Sequence, residues 1–358
     1  MMALAMGAPL SLQMQPSPLS SKVFISTPNY SPLRFNAITN QYQDQACRQN
    51  VKVSFSEQAD YSRRDIVLGS GTAVGSALIW SLSPALESVN AADLIQRRQR
   101  GEFLKIIKDL LITAIQAHPE LIPSIMQLAL NDAVSYDKVS KTGGANGSIR
   151  FMSEITRPEN EGLLSAMKLL EDVKKEIDAS SKGGPISYAD LIQLAGQSAT
   201  KSTFLSAAIR KCGGNEQKGQ TLYTAYGSSG QWGLFEKQFG RTDTEEPDPE
   251  GKVLKWAESP VAEMKRKFVD IGLGPRQLAV MSAFLGPDQV ATEAKLALDP
   301  EVAPWVNKYQ RSRETVSQTD YEVDLITTFT KLSCLGQNIY YEAYTYPREK
   351  IDIKKLKL

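Results

Sequence analysis

Few side chains in this sequence are equipped for chemistry on their own. Of 358 residues one is histidine, His118, and Pro119 follows it directly. The proline disfavours helix at His118 and puts the ring on a connecting turn, where a lone imidazole has neither a second metal ligand nor an acid–base partner. The three cysteines, Cys47, Cys212 and Cys334, match no Cys-x-x-Cys spacing. Each of the latter two reads as a small buried hydrophobe, with a disulfide between them left open in an oxidising compartment. Lys211 and the pair Gly213-Gly214 flank Cys212, and a neighbouring cation of that kind lowers a thiol pKa. Met281 stands four residues before Leu285, on one face of a predicted helix, a spacing more often used for core packing than for holding a metal. There is no Gly-rich phosphate loop, internal repeat or heptad run.

The elements that must position these residues are helical. At 42% hydrophobic and 23% charged the chain buries a sizeable core, and its net charge of +1 gives no basic field for nucleic acid. Phe103, Ile106, Ile107, Leu110, Leu111 and Ile115 recur at helical spacing, predicting an amphipathic helix over 102–117. Further helices are predicted at 121–135, 161–178, 187–203, 259–271, 275–285, 300–310 and 320–336. Ser187 is the expected N-cap of the fourth of these eight, with Asp190 complementing its dipole. Residues 211–256 hold much of the Gly, Pro and charge, and read as a long loop-rich excursion. Strand signals are sparse, so the expected class is all-α, with two helical lobes flanking a central groove. Trp232, Trp256 and Trp305 carry no motif and read as core or groove-lining aromatics.

The amino terminus reads as addressing rather than fold. Before Glu57 there are four bases and one acid in a Ser- and Pro-rich stretch, the composition of an organellar transit peptide. Arg63-Arg64 then precedes a charge-free segment, 66–86, in the form of a twin-arginine signal. Glycines, serines and Pro84 dilute that segment and disfavour a membrane anchor. Small residues near Ala91 and Ala92 suit cleavage between them. Two signals in series imply two membranes crossed, which in a plant means the chloroplast envelope and then the thylakoid. The expected organisation is a removed bipartite signal at 1–91, a helical domain at 92–345 and a basic tail at 346–358; the expected location is the thylakoid lumen.

Four stretches carry a family resemblance. They are residues 126–137 (Met-Gln-Leu-Ala-Leu-Asn-Asp-Ala-Val-Ser-Tyr-Asp), 141–150 (Lys-Thr-Gly-Gly-Ala-Asn-Gly-Ser-Ile-Arg), 186–196 (Ile-Ser-Tyr-Ala-Asp-Leu-Ile-Gln-Leu-Ala-Gly) and 240–251 (Gly-Arg-Thr-Asp-Thr-Glu-Glu-Pro-Asp-Pro-Glu-Gly). With weaker matches at 275–286 and 319–336, the chain from about 100 to 337 resembles the ascorbate peroxidases, the class I haem peroxidases. The resemblance implies a haem-peroxidase-like fold. It also shows where the chemistry departs: the family's distal Arg, Trp and His fall on Gln127, Leu130 and Asn131, and its iron-binding proximal His falls on Leu285. Glu154 and Asn160 match residues that orient the distal His in the family, and here read as structural hydrogen bonders. The family's haem-stacking Trp, its proximal Asp and its potassium-binding loops fall in a segment missing between Gly286 and Ala291. Its substrate-binding Arg and Cys positions have no counterpart.

In that family the histidine moves a proton between the peroxide oxygens and the arginine stabilises the developing charge. Asparagine cannot exchange a proton near neutral pH, glutamine carries no charge and leucine has no atom for iron. The expectation is therefore a non-catalytic lumenal protein, with no cofactor, no metal and vestigial pocket positions, that binds a thylakoid membrane complex such as a photosystem. The alternative is a haem-dependent peroxidase with altered ligation that reduces hydrogen peroxide. A third reading is a thiol antioxidant acting through Cys212. With apolar residues at 130, 284 and 285, the old cavity is expected to be filled by hydrocarbon.

Overall fold

The computed structural model of the protein describes residues 83–180, 183–226 and 228–345. Arg63, Arg64, the transit-peptide stretch and the basic tail 346–358 lie outside the described residues. Within them the only extended pairing is an isolated bridge between Asp137 and Thr142. The rest is helix and turn. In chain order the helices are α1 (Ser83–Ala117), α2 (Ile122–Val134), α3 (Met152–Ile155), α4 (Leu164–Ala179), α5 (Tyr188–Lys211), α6 (Glu216–Tyr226), α7 (Gly233–Glu236), α8 (Val261–Asp270), α9 (Pro275–Val280), α10 (Gln289–Leu296), α11 (Ala303–Glu314) and α12 (Thr319–Leu332).

The helix expected at 102–117 ends where predicted, but it begins at Ser83. No Gly or Pro stands between Pro84 and Gly101 to stop it propagating, so Ala91 and Ala92 lie on helical backbone. Packing starts later: Leu94 and Ile95 are exposed, whereas Phe103, Ile107, Leu111 and Ile115 form a buried stripe at a spacing of one helical turn. His118 follows with φ −132°, exposed and paired with Glu120 at 3.2 Å, the turn position Pro119 demanded.

Helix α5 is the central post, with every residue from Ala189 to Thr200 buried, and it packs on α1, α2, α4 and α6. Ser187 caps it, its hydroxyl accepting from the Asp190 amide at 3.1 Å. Gly196 sits where three helices meet; a Cβ there would lie 2.7 Å from the Ala129 methyl on α2 and 2.9 Å from the Phe329 ring on α12. Asp190 does more than complement the dipole. Fully buried, it pairs with Arg241 at 2.9 Å and accepts from the Gly240 and Arg241 amides and the Tyr344 hydroxyl. One carboxylate thereby ties the 239–241 turn and the chain after α12 to the central post.

The second lobe is built on α9, which packs against α8, α11 and α12. The excursion expected to be loop is shorter than predicted, because α6 occupies part of it. Gly219 reads as a helix breaker in sequence, yet a Cβ there would come within 2.5 Å of Ile209, so the glycine is what allows α6 to lie against the end of α5. Helix α10 was likewise not predicted. At eight residues it is too short for its period to show, though Asp288 caps it by accepting from the Val290 and Ala291 amides.

Candidate functional site

Leu130 and Asn131 lie on the inner face of α2 with no exposed surface, while Gln127, a turn earlier, is half-buried. The Asn131 amide is fully engaged: its Nδ2 donates to Asn160 Oδ1 at 2.9 Å and to the Glu159 carbonyl at 3.2 Å. Its oxygen accepts from Trp256 Nε1 at 2.8 Å. Trp256 is buried and meets Phe268 edge-on at 6.0 Å. An indole thus reaches from the excursion to the side-chain oxygen of Asn131. Asn160 also donates to the Glu154 carbonyl at 2.9 Å, so Glu154 positions Asn160, which in turn accepts from Asn131.

Opposite stands Leu285, 1% exposed. The helix predicted to run to 285 stops at Val280 and gives way to a 3₁₀ turn, Ser282–Phe284, as the Ser282 hydroxyl donates to Glu293 at 2.9 Å. Met281 and Leu285 therefore do not share one regular helical face. Both belong to the continuous apolar core. Phe284 meets Phe329 at 5.1 Å, and Phe329 stacks on Phe235 at the same separation. The turn packs directly on α2, so the two walls of the central groove lie against each other. Beneath it Glu293 is buried and saturated, accepting also from Gln289 at 2.9 Å, Gln310 at 3.1 Å and Arg313 at 2.6 Å.

Behind Asn131 lies a group of acids of which the sequence reading singled out only Glu154. Asp132 on α2, Glu154 on α3 and Asp248 in the excursion are all buried. Burial pushes the Asp132 carboxyl well above the ordinary range, and the Glu154 and Asp248 charges push it further. Glu154 is raised too, chiefly by burial. The clue in the sequence was an aspartate between Asn131 and Ala133 on an otherwise apolar helical stripe.

The remaining candidates do not converge on this site. Neither Cys212 nor Cys334 is in a disulfide, and the Cys334 thiol donates to the Thr330 carbonyl at 3.2 Å. Lys211, beside Cys212, donates to the Thr315 carbonyl at 2.6 Å and to Gln318 Oε1 at 3.2 Å. Trp232 is buried in the core against Phe235, and Trp305 is partly buried with Arg276 over its ring at 5.4 Å. No three His, Cys, Asp or Glu side chains among the described residues are arranged to hold a metal ion.

A family model described as Peroxidase matches residues 107–331. The chain belongs to the peroxidase family. Within it the chain is 67% identical over 303 residues to the thylakoid lumenal 29 kDa protein, chloroplastic, of Arabidopsis thaliana, covering 84% of this chain and 87% of that one. It is also 67% identical over 298 residues to the protein of the same name from Solanum lycopersicum, covering 83% and 86%. To L-ascorbate peroxidase 5, peroxisomal, of Arabidopsis thaliana it is 32% identical over 235 residues, 60% of this chain and 76% of that one. The crystal structure of the TL29 protein from Arabidopsis thaliana superposes with a TM-score of 0.69 at 72% identity, covering 70% of this chain and 99% of that one. The chain is a peroxidase-fold protein of the chloroplast thylakoid lumen, the location its amino-terminal signals led us to expect. No helix among the described residues is long and apolar enough to cross a membrane.

Proposed function

We propose that this peroxidase-family member is non-catalytic, that haem binding and peroxide chemistry have been lost from it, and that it serves as a binding or structural protein at the lumenal face of the thylakoid membrane. The observation that carries this reading is the packed interior between α2 and the 282–284 turn. The residues there do not fit haem: the position of the axial imidazole is the hydrocarbon of Leu285, and Asn131 is saturated by Trp256, Asn160 and Glu159. Met281, the nearest substitute donor in sequence, is fully buried within the apolar core.

The chemistry points the same way. Loss of a general base costs about 10²–10⁴ in rate, and loss of a group that stabilises developing charge about 10²–10³. Both losses coincide here, at Asn131 and Gln127. What persists is the framework, held by the Asp190–Arg241 pair and the α2–α5 contact. A framework kept without its reactive groups is suited to presenting surface, and the compartment makes a membrane complex such as a photosystem the natural partner. We include in this reading that residues 1–91 act as a transit peptide followed by a twin-arginine signal, with cleavage between Ala91 and Ala92.

The test is peroxide-dependent ascorbate oxidation by the purified protein supplied with excess haemin. Turnover no greater than that of free haemin is the expected result. Turnover well above it, proportional to protein, would establish the haem-dependent alternative.

A further inference from the structure

We infer that Asp132 is held as a neutral carboxylic acid, and that the buried cluster it forms with Glu154 and Asp248 is a proton-binding device that tightens the fold in acid. This stands apart from whether the chain ever binds haem.

Acceptors go unpaired at the Asp132 end of the cluster. Asp132 Oδ2 accepts from Gln193 Nε2 on α5 at 3.3 Å, but Asp132 Oδ1 has no partner. Gln193 Oε1 and Asp248 Oδ2 are buried without a donor as well. The other positions are filled: Glu154 accepts from the Ser148 hydroxyl at 3.1 Å and the Asp248 amide at 2.8 Å, and Asp248 Oδ1 accepts from Asn146 Nδ2 at 3.1 Å. A fully buried carboxyl oxygen beside two further unpaired acceptors calls for a donor at Asp132 itself. A proton on Asp132 supplies an O–H and removes one of three adjacent negative charges.

The groups facing Asp132 offer no better compensation. Gln193 from α5 and the Gly147 amide hydrogen-bond to it and favour the ionised form, but burial is the larger effect, and α3 and the excursion add two more carboxylates. Arg157 acts on Glu154 and donates to the Asp248 carbonyl at 2.7 Å, so it neutralises at most one of the three charges. Like charges brought together in low dielectric do not all ionise; the one most deeply desolvated keeps its proton. Asp132 has no exposed surface, and burial is the first cause of the rise in its carboxyl.

The linkage has a definite sign. The native chain holds a proton that the unfolded chain releases above the ordinary carboxylate range, so stability is greatest in acid and declines as pH rises toward the native value. One proton taken up on folding changes the folding constant by up to about tenfold per pH unit across that window. Asp132→Asn replaces the acid O–H with an amide donor of the same shape.

Urea unfolding of the purified chain and the variant at pH 5 to 8 reads this directly. The unmodified protein is expected to lose stability as pH rises, and Asp132→Asn to flatten that slope while remaining as stable as the parent at pH 8. A slope unchanged by the substitution overturns the inference. Should the variant fail to fold, infrared spectroscopy of the unmodified protein decides: a protonated-carboxyl carbonyl band is expected near neutral pH. Its absence, or a stoichiometric metal ion beside an ionised Asp132, refutes it.

Discussion

Truncating Asn131 is the most informative perturbation of the old pocket. The side chain has no exposed surface and makes three hydrogen bonds, to Trp256, Asn160 and Glu159. Asn131→Ala strands the indole N–H and the Asn160 oxygen in a dry interior. A stranded buried polar group costs about 1–3 kcal/mol, so the two together predict a loss of about 3 kcal/mol. Trp256→Phe keeps a ring against Phe268 and strands only the Asn131 oxygen, predicting about 2 kcal/mol. In the double variant the mutual contact is lost once rather than twice, and the two costs should fall short of additivity by about 1–2 kcal/mol. Urea unfolding followed by far-ultraviolet circular dichroism measures all three. A cost for Asn131→Ala below about 0.5 kcal/mol, or additivity within about 0.5 kcal/mol, would mean that water reaches the site and that the pocket is not closed by this pair.

Other positions give equally definite expectations. Arg241→Met leaves Asp190 as a buried unpaired carboxylate and should cost about 3–5 kcal/mol by urea unfolding, and Asp190→Asn, which sets an amide N–H against the buried Arg241 cation, should cost about as much. Gly196→Ala forces a methyl into the α2–α5–α12 junction and should cost about 1–3 kcal/mol by the same measure, whereas Gly162→Ala, with open space about it, strains only its positive φ. Asp137 is held down to about 2 by its hydrogen bond with Lys252. Its favourable contribution is therefore present above the ordinary aspartate range and lost as pH falls toward 2, and Lys252→Ala should return the carboxyl toward its usual value in an NMR titration. Restoring single family residues, Leu285→His or Asn131→His, should confer no peroxide turnover, since each leaves the other half of the chemistry missing.

How much of this was legible in sequence depends on which physical signal each element carries. The α1 stripe, the turn at His118 and the Ser187 cap follow from periodicity and local chemistry, and each stands where the residues put it. Elements whose existence depends on a neighbour were not legible: α6 contains a glycine that reads as a breaker until Ile209 is seen against it. The early end of α9 is set by a hydrogen bond from Ser282 to Glu293, eleven residues away in another helix. At the pocket, the substitutions at Gln127, Leu130, Asn131 and Leu285 were visible from resemblance alone. That Trp256 reaches Asn131 was not, because the two are 125 residues apart and no motif links them. The acid cluster was hidden for the same reason: Glu154 read as a structural hydrogen bonder, but Asp132 and Asp248 look like ordinary surface charge until they are found buried with it.

The absorbance of the purified protein, produced with abundant haem and then freed of loosely held pigment, bears most directly on the claim that the cofactor site is gone. The packed interior predicts no Soret band in proportion to protein. A stoichiometric band that survives gel filtration would contradict it and would require Leu285, Trp256 and their neighbours to part around a porphyrin.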